Sequence, residues 1–199
     1  MKNNDEGMIL ALSSPSGAGK TTITKKIQQK YQNFKISVSH TTRKPRSNEV
    51  EGIDYFFISK DEFKKKEIAG EFYESAKTFE NYYGTSKKKI QLLQDNKHDI
   101  LLDIDWQGTQ QLSKYKELKI IKVFILPPNR EEIKKRLINR SEDKKKESIS
   151  LRLKSYENDI KHWKDYDYII INDNLDICFK QIEKIIYSNK NKKLFKFPY

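Results

Sequence analysis

The sequence is short of cysteine and of long apolar runs. Its one cysteine, Cys178, excludes an intrachain disulfide and a multi-cysteine metal site, and it fits a reducing compartment. No apolar run approaches the roughly 18 residues of a membrane span. The apolar segment Met8–Leu12 follows Asp5 and Glu6 and is too short for a cleavable signal. A soluble, cytoplasmic protein without membrane contact is expected. The three histidines, His40, His98 and His162, lack metal-ligand spacing. Hydrophobic residues make up only 36% of the chain, so the core must be compact and the surface highly charged.

Charge is what the chain has in excess. The formal net charge is +12, which raises nucleic acid as a partner. Lysines lead, however, and they fall in scattered runs such as Lys64–Lys66, Lys87–Lys89 and Lys144–Lys146. That pattern reads as a solvated surface. Nucleic acid is not expected to be the main partner.

Four short apolar runs read as buried strands: Met8–Ser13, Asp99–Asp103, Ile120–Leu126 and Tyr168–Ile171. Helical spacing follows or separates them at Lys20–Tyr31, Glu131–Asn139, Ile149–Trp163 and Leu175–Tyr187. Strands alternating with helices imply a parallel sheet covered on both faces. The stretch from about Phe34 to Thr85 differs. Short aromatic and β-branched segments (Ile36–Ser39, Tyr55–Ser59, Phe72–Thr78, Asn81–Thr85) surround one helix, Lys60–Ile68, as in a small β-rich insertion. Arg140–Lys146 is a charged loop suited to a mobile lid. Trp106, Trp163 and Cys178 read as packing residues.

Strand one leads into Ser14-Pro15-Ser16-Gly17-Ala18-Gly19-Lys20-Thr21-Thr22, and a helix follows. This is the context of the phosphate loop G-x-x-x-x-G-K-[ST], with Ser14 in the first glycine's place. Backbone N–H groups of such a loop hold phosphate oxygens, and the helix N-terminus adds positive potential. Lys20 would reach the β and γ phosphates of ATP, and the Thr21 hydroxyl would hold Mg²⁺. Pro15 pushes the preceding residue toward extended backbone, so Ser14 is expected to take a negative φ.

The acceptor is signalled elsewhere. Thr41-Thr42-Arg43-Lys44-Pro45-Arg46 puts two arginines near one another, and guanidinium forks match phosphate oxygens. There follow Glu49–Phe57 (EVEGIDYFF), Glu71–Glu74 (EFYE), Asn81–Thr85 (NYYGT), Asp103–Gly108 (DIDWQG) and Ile169–Asp173 (IIIND). With the phosphate loop, this ordered set closely resembles the guanylate kinases in their bacterial form, from about Met8 to Tyr187.

The resemblance implies an α/β fold with a P-loop NTPase-type parallel sheet core flanked by helices. It adds a small mixed β/α GMP-binding insertion and a short lid. The core would be residues 1–37, 86–137 and 164–199, the insertion 38–85 and the lid region 138–163, within one domain over about 6–188. It implies Mg-dependent transfer of the γ-phosphoryl of ATP to GMP and dGMP. Arg43, Arg46, Tyr55 and Tyr83 would hold the GMP phosphate. Glu74 would read the guanine edge, with hydroxyls from Ser39 and Thr85. Asp103 and Asp105 would meet Mg²⁺ or the acceptor nucleotide. Arg136, Arg140 and Arg152 match arginines that close on ATP phosphates, although Ser141 stands where the family usually has glycine. Asn172 would lie near the adenine. The alternatives are a family member that binds acidic partners without catalysis, a kinase for another acceptor, and RNA binding. The oligomeric state stays open.

Overall fold

A computed structural model of the protein describes residues 7–139 and 146–191. In chain order the elements are β1 (Ile9–Ser13), α1 (Lys20–Lys30), β2 (Phe34–Ile36), β3 (His40–Thr41), β4 (Phe56–Phe57), α2 (Lys60–Ile68), β5 (Phe72–Thr78), β6 (Asn81–Ser86), α3 (Lys87–Asp95), β7 (Asp99–Asp103), α4 (Trp106–Leu112), β8 (Ile121–Leu126), α5 (Arg130–Asn139), α6 (Lys146–Asp159), β9 (Tyr168–Ile171) and α7 (Leu175–Asn191). The chain forms two compact units. One runs to Ser13 and includes Gln28–Lys122; the other holds Ser14–Ile27 and the chain from Val123 onward.

In the first unit β2, β7 and β1 run parallel, with Phe34 opposite Asp99 and Ile9 opposite Ile100. All five residues of β1 and the first four of β7 are buried. Continuous apolar runs of this kind belong to parallel strands covered on both faces. Ile9, Ala11, Ile100 and Leu102 pack with Ile90 and Leu93 of α3 and Leu112 of α4.

A second sheet has the order β4-β3-β6-β5. Its β5 and β6 are antiparallel, and the register slips between Phe72 and Glu74, so that Phe72 faces Ser86 while Glu74 faces Thr85. The bulged residue, Tyr73, packs on the core of the parallel strands. Ser59 caps α2 by accepting from the Glu62 N–H at 3.1 Å.

In the second unit β8 and β9 pair in parallel from Val123–Tyr168 to Leu126–Ile171. Cys178, Ile182, Ile185 and Ile186 form the buried stripe of α7, at helical spacing. Cys178 is therefore a packing residue, and burial pushes its thiol up to about 11, above its ordinary value.

Three expectations are corrected. Phe34–Ile36 pairs with β7 in the parallel sheet, which removes it from the β-rich stretch read from about Phe34 and is compatible with an insertion over 38–85. Trp163 is 43% exposed and is not a core residue. The helix expected to run to Trp163 gives way at Ile160 to a 3₁₀ segment, Ile160–Asp165. Helices α3 and α4 are additions. The lid loop, with Arg140, lies outside the described residues up to Lys146.

Asp99 pins the start of β7. Its carboxylate, 3% exposed, accepts from the Met8 N–H at 2.9 Å and from Asn33 Nδ2 at 3.1 Å. Asp99→Ala leaves these donors without that partner and is expected to cost about 1–3 kcal/mol, read as a lower urea midpoint with an unchanged slope.

Candidate functional site

The second unit carries the phosphate loop. Among the described residues the non-glycine positive φ values belong to Phe79, Lys97 and Lys119, so Ser14 has the negative φ expected of it. Its hydroxyl donates to the Pro15 carbonyl at 3.0 Å. The turn closes when the Ala18 N–H donates to the Pro15 carbonyl at 3.2 Å. Gly17 and Gly19 take φ of +87° and +95°, which side chains adopt only with strain. Lys20, Thr21 and Thr22 then form the first turn of α1, where the Thr22 N–H donates to the Gly19 carbonyl at 3.1 Å.

Asn172, just beyond β9, holds this loop. It is 4% exposed, and its Nδ2 donates to the Ala18 carbonyl at 2.7 Å. Its own N–H donates to the Leu126 carbonyl at 2.7 Å. A Cβ on Gly19 would stand 2.4 Å from Asn172 Nδ2. Gly19 is thus required twice, by its φ and by the amide beside it. Arg136, in the last turn of α5, donates from Nη2 to the Asn172 carbonyl at 3.1 Å and from Nε to Glu132 at 3.0 Å. Arg152 lies half-buried on α6.

The first unit carries an arginine cluster and a buried carboxylate. Arg43 Nη2 contacts both oxygens of Glu49, at 2.7 and 2.9 Å. The Arg46 N–H donates to the same carboxylate at 2.9 Å, and its Nη1 stands 3.6 Å away. The Arg43 guanidinium lies 5.4 Å from the Tyr55 ring centre, and the Tyr55 and Tyr83 rings are 6.0 Å apart. Burial works against the charges of Arg43 and Glu49. Their mutual hydrogen bonding, with further help from Tyr83 and from the Arg46 N–H, outweighs it. Arg43 is held above its ordinary value and Glu49 below its own. Burial, and then the nearby Asp103 carboxylate, push the Tyr55 phenol up. Its hydroxyl therefore keeps its proton at neutral pH and can donate.

Glu74 is 4% exposed, and Thr85, fully buried, donates to its Oε1 at 2.5 Å. Ser39, 9% exposed, directly precedes β3. Asp103 ends β7, half-buried. Asp105 uses both carboxylate oxygens inside the fold: Oδ1 caps α4 at the Gly108 N–H, 3.0 Å away, and Oδ2 accepts from Thr78 at 2.9 Å.

Sequence reading did not single out Glu49, which contacts Arg43, or Gly108, which lies against Glu74. Both stood inside quoted motifs. Glu49 lies three residues beyond Arg46, a spacing that flags a charge partner. Gly108 has no sequence signal of its own; its meaning is the space over which it sits. Among the described residues no three His, Cys, Asp or Glu side chains gather as a metal cage.

The guanylate kinase family profile matches residues 6–189. A guanylate kinase of Rickettsia felis is 42% identical over 192 residues, 96% of this chain and 99% of its own length. A guanylate kinase of Wolbachia pipientis wMel is 43% identical over 198 residues, 100% of this chain and 98% of its own. The crystal structure of guanylate kinase from Anaplasma phagocytophilum superposes with a TM-score of 0.76 at 33% identity. That match covers 94% of this chain and 87% of the other.

The two ends of the phosphate loop are expected to respond differently to substitution. Gly19→Ala meets both strain and the Asn172 amide, and should cost about 2 kcal/mol or more. Ser14→Gly relieves nothing and should cost no more than about 1 kcal/mol, through the unfolded chain. Urea unfolding of the two variants checks the contrast.

Proposed function

The chain belongs to the guanylate kinase family, and from that premise we propose that it transfers the γ-phosphoryl group of ATP to GMP, and to dGMP, in the cytoplasm. The observation that carries the acceptor is the buried Glu74 carboxylate, oriented by Thr85, in the same unit as the Arg43–Arg46 cluster. Guanine presents N1–H and a 2-amino group, two donors that one carboxylate can accept together. Adenine presents a lone pair at N1 and has no 2-amino group, so it leaves the carboxylate opposed. A polar site rejects a wrong partner strongly for this reason.

In this reading Arg43, Arg46 and the hydroxyls of Tyr55 and Tyr83 bind the GMP phosphate. Ser39 adds a hydroxyl toward the base. The acceptor phosphate is already an anion at neutral pH, so no general base is required. The loop from Ser14 to Thr22 binds the ATP phosphates, with Lys20 on the transferring group. Charge spreads over the phosphoryl oxygens in the transition state, and fixed donors stabilise it there. Arg136, Arg140 and Arg152 would add to those donors. Asn172 supports the loop from behind, and Asp105 supports α4.

Mg²⁺ fits this donor set. The Thr21 hydroxyl on the second unit is a hard oxygen donor, and so, taken by itself, is the Asp103 carboxylate on the first. That suits an ion held mostly by phosphates and water. Bound with ATP, it would supply charge neutralisation on the phosphates.

ADP release from Mg-ATP should be seen with GMP and dGMP and not with AMP, CMP or UMP. Turnover of AMP in preference to GMP would overturn the acceptor assignment. Lys20→Ala should lower kcat by about 100-fold or more while circular dichroism stays unchanged. Retained turnover would mean that ATP is bound elsewhere.

A further inference from the structure

Gly108 sits inside α4, where glycine costs about 1 kcal/mol relative to alanine. Its φ is not among the positive values, so backbone freedom does not account for it. Space does. A Cβ at this position would lie 2.6 Å from Glu74 Oε2, 2.9 Å from Cδ and 3.4 Å from Cγ. The first two are closer than real Cβ contacts come.

We propose that Gly108 is a specificity-determining residue, whose missing side chain leaves the volume in which the Glu74 carboxylate lies flat to the guanine edge. The proposal rests on the reading of Glu74 as the guanine-recognising group. The carboxylate is held from two sides. Thr85 donates to Oε1 from β6, and the bare face of Gly108 borders Oε2.

Neither backbone can retreat to admit a methyl group. Gln111, one turn further along α4, clamps Ser75 of β5 at two points. Its Oε1 accepts from the Ser75 N–H at 3.1 Å, and its Nε2 donates to the Ser75 carbonyl at 2.7 Å. Asp105 ties the start of α4 to Thr78, at the end of β5. The helix is therefore fixed on both sides of Gly108, and the strand is fixed beyond Glu74 by Ser75 and Thr78 and held to β6 at Phe72 and Glu74, so the carboxylate itself must turn. A turned carboxylate loses one of its two contacts to guanine. Oε2 is the oxygen a methyl group would crowd, while Oε1 stays on Thr85; with Oε2 as the partner of the 2-amino group, which IMP lacks, GMP loses more than IMP.

The test compares kcat/KM for GMP and for IMP, with thermal unfolding, in the full chain and in Gly108→Ala, Glu74→Ala and the double variant. Gly108→Ala is expected to lower the GMP-to-IMP ratio about tenfold, with KM for ATP unchanged. It should lower the melting temperature in the wild-type background and leave it unchanged or raised in the Glu74→Ala background, where the truncated side chain makes room. A folded Gly108→Ala variant that keeps the wild-type ratio overturns the proposal, and so does an equal loss on GMP and IMP. An equal fall in melting temperature in both backgrounds overturns it too, whatever the activities. If Glu74→Ala itself keeps the preference for GMP over IMP, the reading of Glu74 fails. A Glu74→Ala variant that loses the preference, beside a Gly108→Ala variant that keeps it, sinks only the role of Gly108.

Discussion

A carboxyl group at 4% exposure is a costly placement, and much of the first unit follows from it. Glu74 can be buried only with polar partners in reach. The β5 bulge sets it opposite Thr85, whose hydroxyl donates to it. Without the bulge, the alternation of β5 would set another residue opposite Thr85. Tyr73, the residue the bulge releases, fills core space against Tyr115, with ring centres 4.9 Å apart. The position of the buried carboxylate and the packing of the core are thus set by one irregularity in one strand.

The second unit repeats this logic with an amide. Asn172 spends its side chain on the Ala18 carbonyl and its backbone on Leu126 and Arg136. It fixes a loop whose glycines, free of side chains, would otherwise have many conformations. Pre-setting such a loop lowers the ordering cost when a phosphate binds. The asparagine that the family resemblance puts near adenine is, in the observed geometry, a support for the loop. An effect of Asn172 on ATP binding would then pass through the position of Ala18 and Gly19.

Much of the fold was legible from periodicity. β7, β9, α2 and β5 lie where the apolar runs and their boundaries put them. The missed elements share a physical reason. α4 has seven residues, too few for a helical period to show, and α3 opens on three lysines that read as surface. β2 is three residues long, and its membership depends on pairing with β7, sixty-odd residues away, which no local pattern carries. At the site, Lys20 and Arg43 could be named from motif and spacing, and Glu74 from the family resemblance. What could not be named was the work of residues defined by a neighbour: Gly108 by the carboxylate it leaves room for, Gly19 by the Asn172 amide, and Glu49 by the arginines it neutralises.

Glu49 changes how the arginine cluster must be understood. Two guanidinium groups kept close repel one another and would splay into solvent. Glu49, with its side chain 11% exposed, draws Arg43 and the Arg46 backbone to one point. Its carboxyl is held below its ordinary value, so the stabilisation is present above the usual carboxylate range and fades as pH falls through the lowered value. The same carboxylate competes with any anion the cluster binds. A phosphate arriving there keeps an arrangement already organised, but it shares the guanidinium donors or displaces Glu49 from some of them. Organisation favours binding and competition opposes it. Under the proposed reading, such a cluster favours a multi-oxygen phosphate over a single carboxylate, because only the former has enough acceptors to engage both arginines and both tyrosine hydroxyls.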